Sequence, residues 1–261
     1  MEDWKISNIE KALKLIKTFE TGDISTAYGL LNEGYIQHNL NYQTGRDGFL
    51  SSVKYLASCH IKTTVNNIRA FEDNDKVFLQ TVYDFSGNGK QVAFDIFRFD
   101  ENGQIIEHWD NLTNLAKVNP SNHSQIDGTI EKNNDDRENT RKIVSSFVND
   151  ILCNKHPEKL MSYFEGDRYI QHNTLIADGV SGLLSALNEL SRQGIEMIYS
   201  KTHMVLADSN YALALSEGTF GGVKTSYYDL FRVKNNKICE HWDVIESILE
   251  ESKWQNKNGK F

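Results

Sequence analysis

An internal repeat constrains the fold of this chain more than any other feature of its sequence. The pentapeptide YIQHN at residues 35–39 recurs unchanged at residues 169–173, an offset of 134 residues (169 − 35). Two further motifs recur in the same order, with DIFR at 95–98 matching DLFR at 229–232, and EHWD at 107–110 matching EHWD at 240–243. Because three motifs recur in order, we infer that a whole domain has been duplicated.

The duplication predicts two domains joined by a linker. Residues 118–135 are polar, contain Pro120 and Gly128, and show little hydrophobic periodicity, which is typical of a linker. The predicted organisation is a first domain at 1–117, the linker at 118–135, a second domain at 136–252 and a tail at 253–261.

Within each copy the hydrophobic period changes from helical to strand-like. Apolar residues three or four apart predict helices over 8–20, 23–34, 46–58, 136–152, 156–165 and 180–193. β-rich runs between turn signals predict strands over 61–72, 75–85, 90–100, 104–115, 195–207, 210–220, 222–234 and 237–248. Helices followed by a meander of strands favour the α+β class, with helices packed on one face of a curved antiparallel sheet.

Composition narrows the classes of partner. The formal net charge of −8 disfavours nucleic acid, because the surface repels phosphate. The three cysteines are widely spaced and lack zinc-ligand spacing, which predicts reduced thiols. The opening segment has helical spacing instead of the apolar run of a signal peptide, and no membrane span is evident. We therefore expect a cytoplasmic protein with no membrane partner.

Asp95 and Asp229 lie within strands that are otherwise rich in aromatic and β-branched residues. A carboxylate is costly there unless it is paired or solvated in a cavity, so both are candidates for a functional site. An ion pair with a nearby arginine or with a histidine of the next strand would explain them equally well. Strict alternation places Arg98 and Arg232 on the opposite face of the sheet.

The EHWD motifs place a histidine and an aspartate on the same face of a strand. Alternation puts His108 with Asp110 and His241 with Asp243, and it puts the motif's glutamate and tryptophan on the other face. Such a pair can exchange protons near neutral pH, because histidine titrates there and burial can raise the pKa of an aspartate. The alternative is that the histidine and aspartate only form a row of charged side chains along the strand and transfer no proton.

YIQHN brings a phenol, two amides and an imidazole together at a predicted helix-to-loop junction. His38 and His172 are therefore candidates for a second proton-transfer group. The alternative is that the glutamine and asparagine satisfy backbone groups at the helix end and that the tyrosine belongs to the core.

Signals for other chemistries are weak. The sequence has no GxSxG elbow, no P-loop and no GxGxxG after a first strand. A metal site from His38, Asp95 and His108 is conceivable, but no ligand spacing supports it. We therefore expect neither a metal nor a cofactor.

The motifs, taken together with G-x-x-G after YIQHN, resemble the SnoaL-like polyketide cyclase branch of the nuclear transport factor 2-like superfamily, which includes ketosteroid isomerase and scytalone dehydratase. The likeness spans nearly all of both copies, although many members have proline after YIQHN where this chain has Leu40 and Thr174. It implies two cone-shaped domains, each with three N-terminal helices folded over a strongly bent sheet that encloses an apolar pocket. It also implies cofactor-free proton transfer by Asp and His, as in aldol ring closure or isomerisation next to a carbonyl.

The resemblance implies specific site residues. The matching catalytic positions are His38, Asp95, His108, Asp110, His172, Asp229, His241 and Asp243. We expect substrate contacts from Tyr35, Trp109, Tyr169, Glu217 and Trp242. Members of the branch often form dimers through the open sheet face, so the duplication predicts an intramolecular pseudo-dimer, either monomeric or a dimer of tandem chains.

The two copies differ near the predicted pocket. At constant offset, Tyr83 of the first copy aligns with Glu217 of the second, which would make the second pocket more acidic. We therefore expect the second copy to be the better candidate for activity.

Three functions fit the sequence. One is a cofactor-independent cyclase, isomerase or lyase that acts on a small carbonyl compound. Another is a non-catalytic protein that binds a small molecule in an apolar pocket, and the third is a scaffold. A carboxylate with a raised pKa beside a histidine would favour the enzyme.

Overall fold

The chain divides into two compact units in a computed structural model that describes residues 6–133 and 136–261. Unit 1 contains Met1–Asn114 together with Leu249–Phe261, and unit 2 contains Leu115–Ile248. The first five residues of the predicted first domain and the last two of the predicted linker lie outside the described residues.

Three helices open unit 1: α1 (Asn8–Thr21), α2 (Ile24–Leu30) and α3 (Arg46–Ser58). A capping box starts α1, because Ser7 accepts a hydrogen bond from the Glu10 amide while the Glu10 carboxylate accepts one from the Ser7 amide. The helix ends at Gly22, whose φ of 73° suits a residue without a side chain.

A five-stranded mixed sheet completes unit 1. Its strands are β1 (Leu31–Gln37), β2 (Thr64–Asp73), β3 (Lys76–Asp84), β4 (Lys90–Phe99) and β5 (Ile105–Asn114). The order is β1-β5-β4-β3-β2, in which β1 runs parallel to β5 and the other neighbours are antiparallel. The helices bury Leu15, Ile16 and Val53 against one face of the sheet, which contributes Leu79 and Phe97 to the core.

Unit 2 repeats this arrangement, but its helical part is less regular and includes a π-helical and a 3₁₀ segment. Helix α4 (Arg137–Phe147) continues into a π-helical segment (Val148–Cys153), followed by a 3₁₀ helix (Pro157–Tyr163), β6 (Ile170–Gln171) and α5 (Gly179–Arg192). The remaining strands are β7 (Met197–Asp208), β8 (Tyr211–Phe220), β9 (Val223–Lys234) and β10 (Lys237–Ser247). The order β6-β10-β9-β8-β7 matches that of unit 1, again with a parallel first pair.

The predicted α+β class, with helices followed by four antiparallel strands in each copy, is confirmed. The predicted helix over 23–34 is wrong beyond residue 30, because Leu31–Gln37 pairs as an edge strand with β5. YIQHN therefore lies at the end of a strand and not at a helix-to-loop junction. The predicted helix over 156–165 is a 3₁₀ helix that starts at Pro157.

The polar segment after β5 hydrogen-bonds within unit 2. Asn119 Nδ2 donates to the carbonyl of Gln171 at 2.7 Å, and the Thr129 amide donates to Glu240 Oε1 at 3.1 Å. Likewise the last segment, Leu249–Phe261, belongs to unit 1. Within the described ranges, no helix is long and apolar enough to cross a bilayer.

Candidate functional site

The centre of the candidate site in unit 1 is a buried pair formed by Asp95 on β4 and His108 on β5. His108 Nε2 lies 3.1 Å from Asp95 Oδ1, and both side chains are buried. The imidazole ring stacks on Phe97, with centroids 4.4 Å apart. Packing on the phenyl ring and the hydrogen bond together fix the orientation of the imidazole.

Gln37 determines where the protons of His108 lie. The amide N–H of Asn39 donates to Gln37 Oε1 at 2.9 Å, and Gln37 Nε2 donates to the Tyr35 hydroxyl, so the side-chain oxygen faces His108. His108 Nδ1, 3.1 Å from that oxygen, must therefore carry a proton. Nε2 then faces an aspartate oxygen, and one further proton is shared between His108 Nε2 and Asp95.

Burial raises the pKa of Asp95. Desolvation is the largest cause, the neighbouring charge of Asp110 adds to it, and hydrogen bonds from His108 and Tyr83 oppose it. The Tyr83 hydroxyl donates to Asp95 Oδ2 at 3.0 Å. A proton on the pair is thus stabilised, which favours its use as an acid.

Asp110 lies beside this pair with one oxygen that accepts no hydrogen bond. It is the register partner of Asp95 across β4 and β5, and Asn39 Nδ2 donates to its Oδ2 at 2.9 Å. Its Oδ1 is buried and accepts no hydrogen bond from any residue in the described part of the chain. A carboxylate oxygen that accepts no hydrogen bond has lone pairs available to accept a proton.

The three side chains open into a cavity of about 470 Å³. Its walls combine aromatic and aliphatic side chains with neutral amides and hydroxyls, a lining that suits a small organic ligand. The apolar lining comprises Phe19, Phe49, Leu56, Phe85 and Leu112, and the polar lining includes Asn41, Gln43, Ser51, Ser52, Asn88 and Gln255.

The structure does not bring His38 and Trp109 into this group. Both lie on the other side of β5. There His38 Nε2 lies 2.8 Å from Glu107 Oε1, and the His38 ring stacks on Trp109 with centroids 4.9 Å apart. Glu107 also pairs with Arg98. The predicted placement of Arg98 opposite Asp95 thus agrees with its contacts, and the EHWD alternation separates the faces as expected.

Unit 2 contains the same buried pair. His241 Nε2 lies 3.1 Å from Asp229 Oδ1, and His241 Nδ1 lies 2.9 Å from Gln171 Oε1. The amide of Asn173 donates to that Gln171 oxygen, and its side chain donates to Asp243. The proton arrangement is therefore the same in both units.

Aromatic side chains occupy the pocket face of the second sheet. Tyr199 and Tyr227 are buried and stacked with centroids 4.1 Å apart, and the Tyr199 hydroxyl donates to Asp229 Oδ2 at 3.2 Å. Tyr227 lies two residues before Asp229, where unit 1 has Ala93 two residues before Asp95. The place of a small side chain in unit 1 is thus taken by a tyrosine ring in unit 2.

The expected role of Glu217 is wrong, because the strand register differs between the copies. Asp95 pairs with Leu79, whereas Asp229 pairs with Ala214, so the counterpart of Tyr83 is Gly218. Glu217 therefore points to the face opposite Asp229 and forms an ion pair with His203 at 3.4 Å. The basis for preferring the second copy is lost.

Two of the remaining predicted residues of unit 2, His172 and Trp242, lie on the opposite side of β10 from the pair. His172 stacks on Trp242 at 4.7 Å, and its Nε2 lies 3.0 Å from Glu240 Oε1. Although burial favours the neutral acid, hydrogen bonds from His172 and Arg232 lower the pKa of Glu240 to about 2. Tyr169, like Tyr35, is buried in the core of its unit.

The Asp95, His108 and Asp110 side chains place donor atoms within 4.8 Å of one another, as do their counterparts in unit 2. Such a set has the chemistry of a metal site. However, both nitrogens of His108 and both oxygens of Asp95 already have hydrogen-bond partners. The set is better suited to proton transfer than to ion binding.

Sequence reasoning missed three contributors to the site. The alternative that Gln37 satisfies a backbone group agrees with the structure, because the Asn39 amide donates to Gln37 Oε1, but its contact with His108 is not predicted. The contacts of Tyr83 with Asp95 and of Tyr199 with Asp229 are not predicted either. The repeated glutamine in YIQHN was a usable signal for the first. No signal in the sequence identified the two tyrosines, because Tyr83 lies on β3 and Tyr199 on β7, which are not equivalent strands of the two copies.

Comparisons with known proteins give structural matches alone. No protein-family model and no curated protein matches the sequence. Similar solved structures include an NTF2-like protein of unknown function from Cytophaga hutchinsonii (16% identity, TM-score 0.37, covering 42% of this chain and 94% of that one). Others are IdmH of Streptomyces antibioticus, described as a candidate polyketide cyclase (17%, 0.35, 41% and 92%), and an LEH-like epoxide hydrolase of M. tuberculosis (14%, 0.36, 41% and 82%).

By its own fold and site, the chain is a duplicated α+β protein in which each unit carries a buried Asp-His pair positioned by a glutamine. An NTF2-like protein and a candidate polyketide cyclase are among the solved structures similar to it.

Proposed function

We propose that unit 1 is a cofactor-independent acid–base catalyst for a small, neutral carbonyl compound. The observation that carries this proposal is a proton-sharing Asp95-His108 pair beside the free oxygen of Asp110, at the polar end of a cavity. An acid and a base side by side in a partly apolar site are what enolisation, isomerisation or aldol closure requires.

The proposed reaction begins with removal of a proton next to the carbonyl. Asp110 Oδ1 takes this proton, and the electron pair moves onto the carbonyl oxygen. The Asp95-His108 pair delivers its shared proton to that oxygen, which gives an enol. Return of a proton to carbon at the same or another position restores the carbonyl and both side chains, so no oxidant or cofactor is consumed.

The cavity lining favours neutral substrates. Among the described residues that line it, none is a lysine or an arginine, whereas two are aspartates. A carboxylate or phosphate on the ligand would lie near these aspartates with no lysine or arginine in the lining to pair with it. We therefore propose a ligand with a carbonyl group, an apolar body and no anionic group.

Hydrogen–deuterium exchange tests the proposal without knowledge of the natural substrate. Neutral ketones such as acetophenone and 2-tetralone are incubated with the protein in D₂O, and loss of the α-proton signals is followed by NMR. We expect exchange above the buffer rate for a neutral ketone, and less for a matched keto acid. Saturable binding of neutral ketones without any exchange would instead support the non-catalytic binding protein.

A further inference from the structure

The last segment of the chain, Leu249–Phe261, is held against the YIQHN loop of unit 1. Asn256 Nδ2 donates to the carbonyls of Asn39 and Tyr42, both at 2.9 Å, and the Gln255 amide donates to the Leu40 carbonyl at 2.9 Å. Gln255 also lines the cavity. The segment is therefore part of the candidate site and not an unattached tail.

His38 fixes the end of this segment. Its Nδ1 lies 2.9 Å from the Gly259 carbonyl and its Nε2 lies 2.8 Å from Glu107 Oε1. Both partners are oxygens, and a carbonyl can only accept, so Nδ1 donates to Gly259. This contact determines where the next residue, Lys260, enters unit 1.

Lys260 brings a buried ammonium to Asp110. The residue is 6% exposed, its Nζ donates to the backbone carbonyl of Asp110 at 2.7 Å, and Nζ lies 3.9 Å from Asp110 Oδ1. That separation counts as an ion pair but is too long for a hydrogen bond. The charge therefore acts on the oxygen without a hydrogen bond that would occupy its lone pairs.

Unit 2 has a neutral residue at the matching place. The His172 ring contacts the Ser124 carbonyl at 2.8 Å, as His38 contacts Gly259, and the residue after Ser124 is the buried Gln125. The carboxylate there, Asp243, has a raised pKa because of desolvation and the nearby charge of Asp229. The ammonium of Lys260 thus distinguishes the site of unit 1 from its duplicate in unit 2.

We propose that Lys260 is a positioning residue that keeps Asp110 ionised as the base of the first site. This inference rests on the proposed function. The titratable groups that face Asp110 are Asp95 and His108 from the sheet, the tyrosines Tyr35 and Tyr83, and Lys260 itself. Asp95 disfavours the charge of Asp110, and Lys260 opposes that effect.

Three substitutions in the full-length protein test the role of the charge: Lys260→Gln, which copies unit 2, Lys260→Met, and Lys260→Arg, which keeps the charge. Lys257→Gln is the matched control, since Lys257 is exposed on the same segment. Thermal unfolding of each variant shows whether it is folded. The ¹³Cγ signal of Asp110 is then followed against pH by NMR, which needs no substrate.

We expect the Asp110 signal to change at a higher pH in Lys260→Gln and Lys260→Met than in the wild type, and Lys260→Arg and Lys257→Gln to behave like the wild type. An adjacent opposite charge typically favours the carboxylate by about tenfold or more. The exchange rate of a neutral ketone at acidic pH should therefore fall about tenfold in the neutral variants and recover as the pH rises.

An Asp110 signal that titrates identically in Lys260→Met and wild type would overturn the role of Lys260, whether or not the protein catalyses exchange. Absence of exchange in a wild type whose Asp110 signal does depend on Lys260 would instead contradict the proposed function. The two failures are therefore distinguishable.

Discussion

Glu240 makes a large contribution to the stability of unit 2 that should disappear on acidification. Its side chain is 1% exposed, with Arg232 Nε 2.6 Å from Oε2 and His172 Nε2 3.0 Å from Oε1. These partners outweigh desolvation and hold its pKa at about 2, against an ordinary value of 4.5. At about 1.4 kcal/mol per pKa unit, the ionised glutamate stabilises the folded state by about 3 kcal/mol.

The sign follows from the lowered pKa. The folded protein binds the proton less readily than the unfolded chain, so the contribution is complete above about pH 4.5. It is lost as the pH falls from there towards about 2, with a slope of up to about 1.4 kcal/mol per pH unit. Glu240→Gln should therefore lower the free energy of unfolding by about 3 kcal/mol at pH 7 and by clearly less at pH 3.5.

Urea unfolding followed by tryptophan fluorescence measures this, since Trp242 stacks on His172 within the same cluster. Glu107→Gln in unit 1 is the matched comparison, because Glu107 has equivalent partners but a side chain that is 13% exposed, and we expect a smaller loss. A loss below about 1 kcal/mol for Glu240→Gln at pH 7, or one that is unchanged at pH 3.5, would refute the reasoning.

Three further substitutions, the last with a matched control in unit 2, test the packing and the site. Gly218→Ala should destabilise the protein by at least about 2 kcal/mol, because the new Cβ would lie 1.7 Å from the Ile198 carbonyl oxygen; an unchanged Tm would contradict this. Tyr227→Ala should cost about 3–5 kcal/mol in urea unfolding by emptying the space of a buried ring, and a cost under 1 kcal/mol would argue that the ring does not fill the second pocket. Gln37→Leu removes the acceptor that orients His108 and should slow ketone exchange about tenfold or more. The matched variant Gln171→Leu in unit 2 should leave the exchange rate unchanged. Equal effects of the two variants on the rate would count against assigning activity to unit 1.

Features set by local pattern could be predicted from the sequence. Repeated motifs gave the duplication, and alternation in EHWD correctly separated His108 and Asp110 from Glu107 and Trp109. The helix α3 and the antiparallel strands follow hydrophobic periods that need no knowledge of distant residues.

Features set by distant pairing could not be predicted. Residues 31–37 form a strand only because β5, about seventy residues later, offers a parallel edge. The error over Glu217 has a similar origin: β8 is shifted by one residue relative to β3, and the shorter turn before β9 restores the offset. An alignment that keeps one offset throughout cannot detect these two changes, because their effects on the residue numbering cancel after the turn.

The returning segment was also beyond local reasoning. Residues 249–261 have a polar composition that is typical of an unattached tail, and their contacts with Asn39 and Asp110 depend on chain reversal over more than one hundred residues. Only the structure shows that Lys260 is buried beside a carboxylate of the first copy.

The most direct test of the central claim compares matched variants of the two copies in the ketone exchange assay. Asp95→Asn and Asp229→Asn remove the same carboxylate from equivalent buried pairs, so their structural costs are similar. We predict that Asp95→Asn lowers the exchange rate by about 10²- to 10⁴-fold, as expected for loss of a general acid, while Asp229→Asn retains the wild-type rate. Full activity in a folded Asp95→Asn variant would contradict the account.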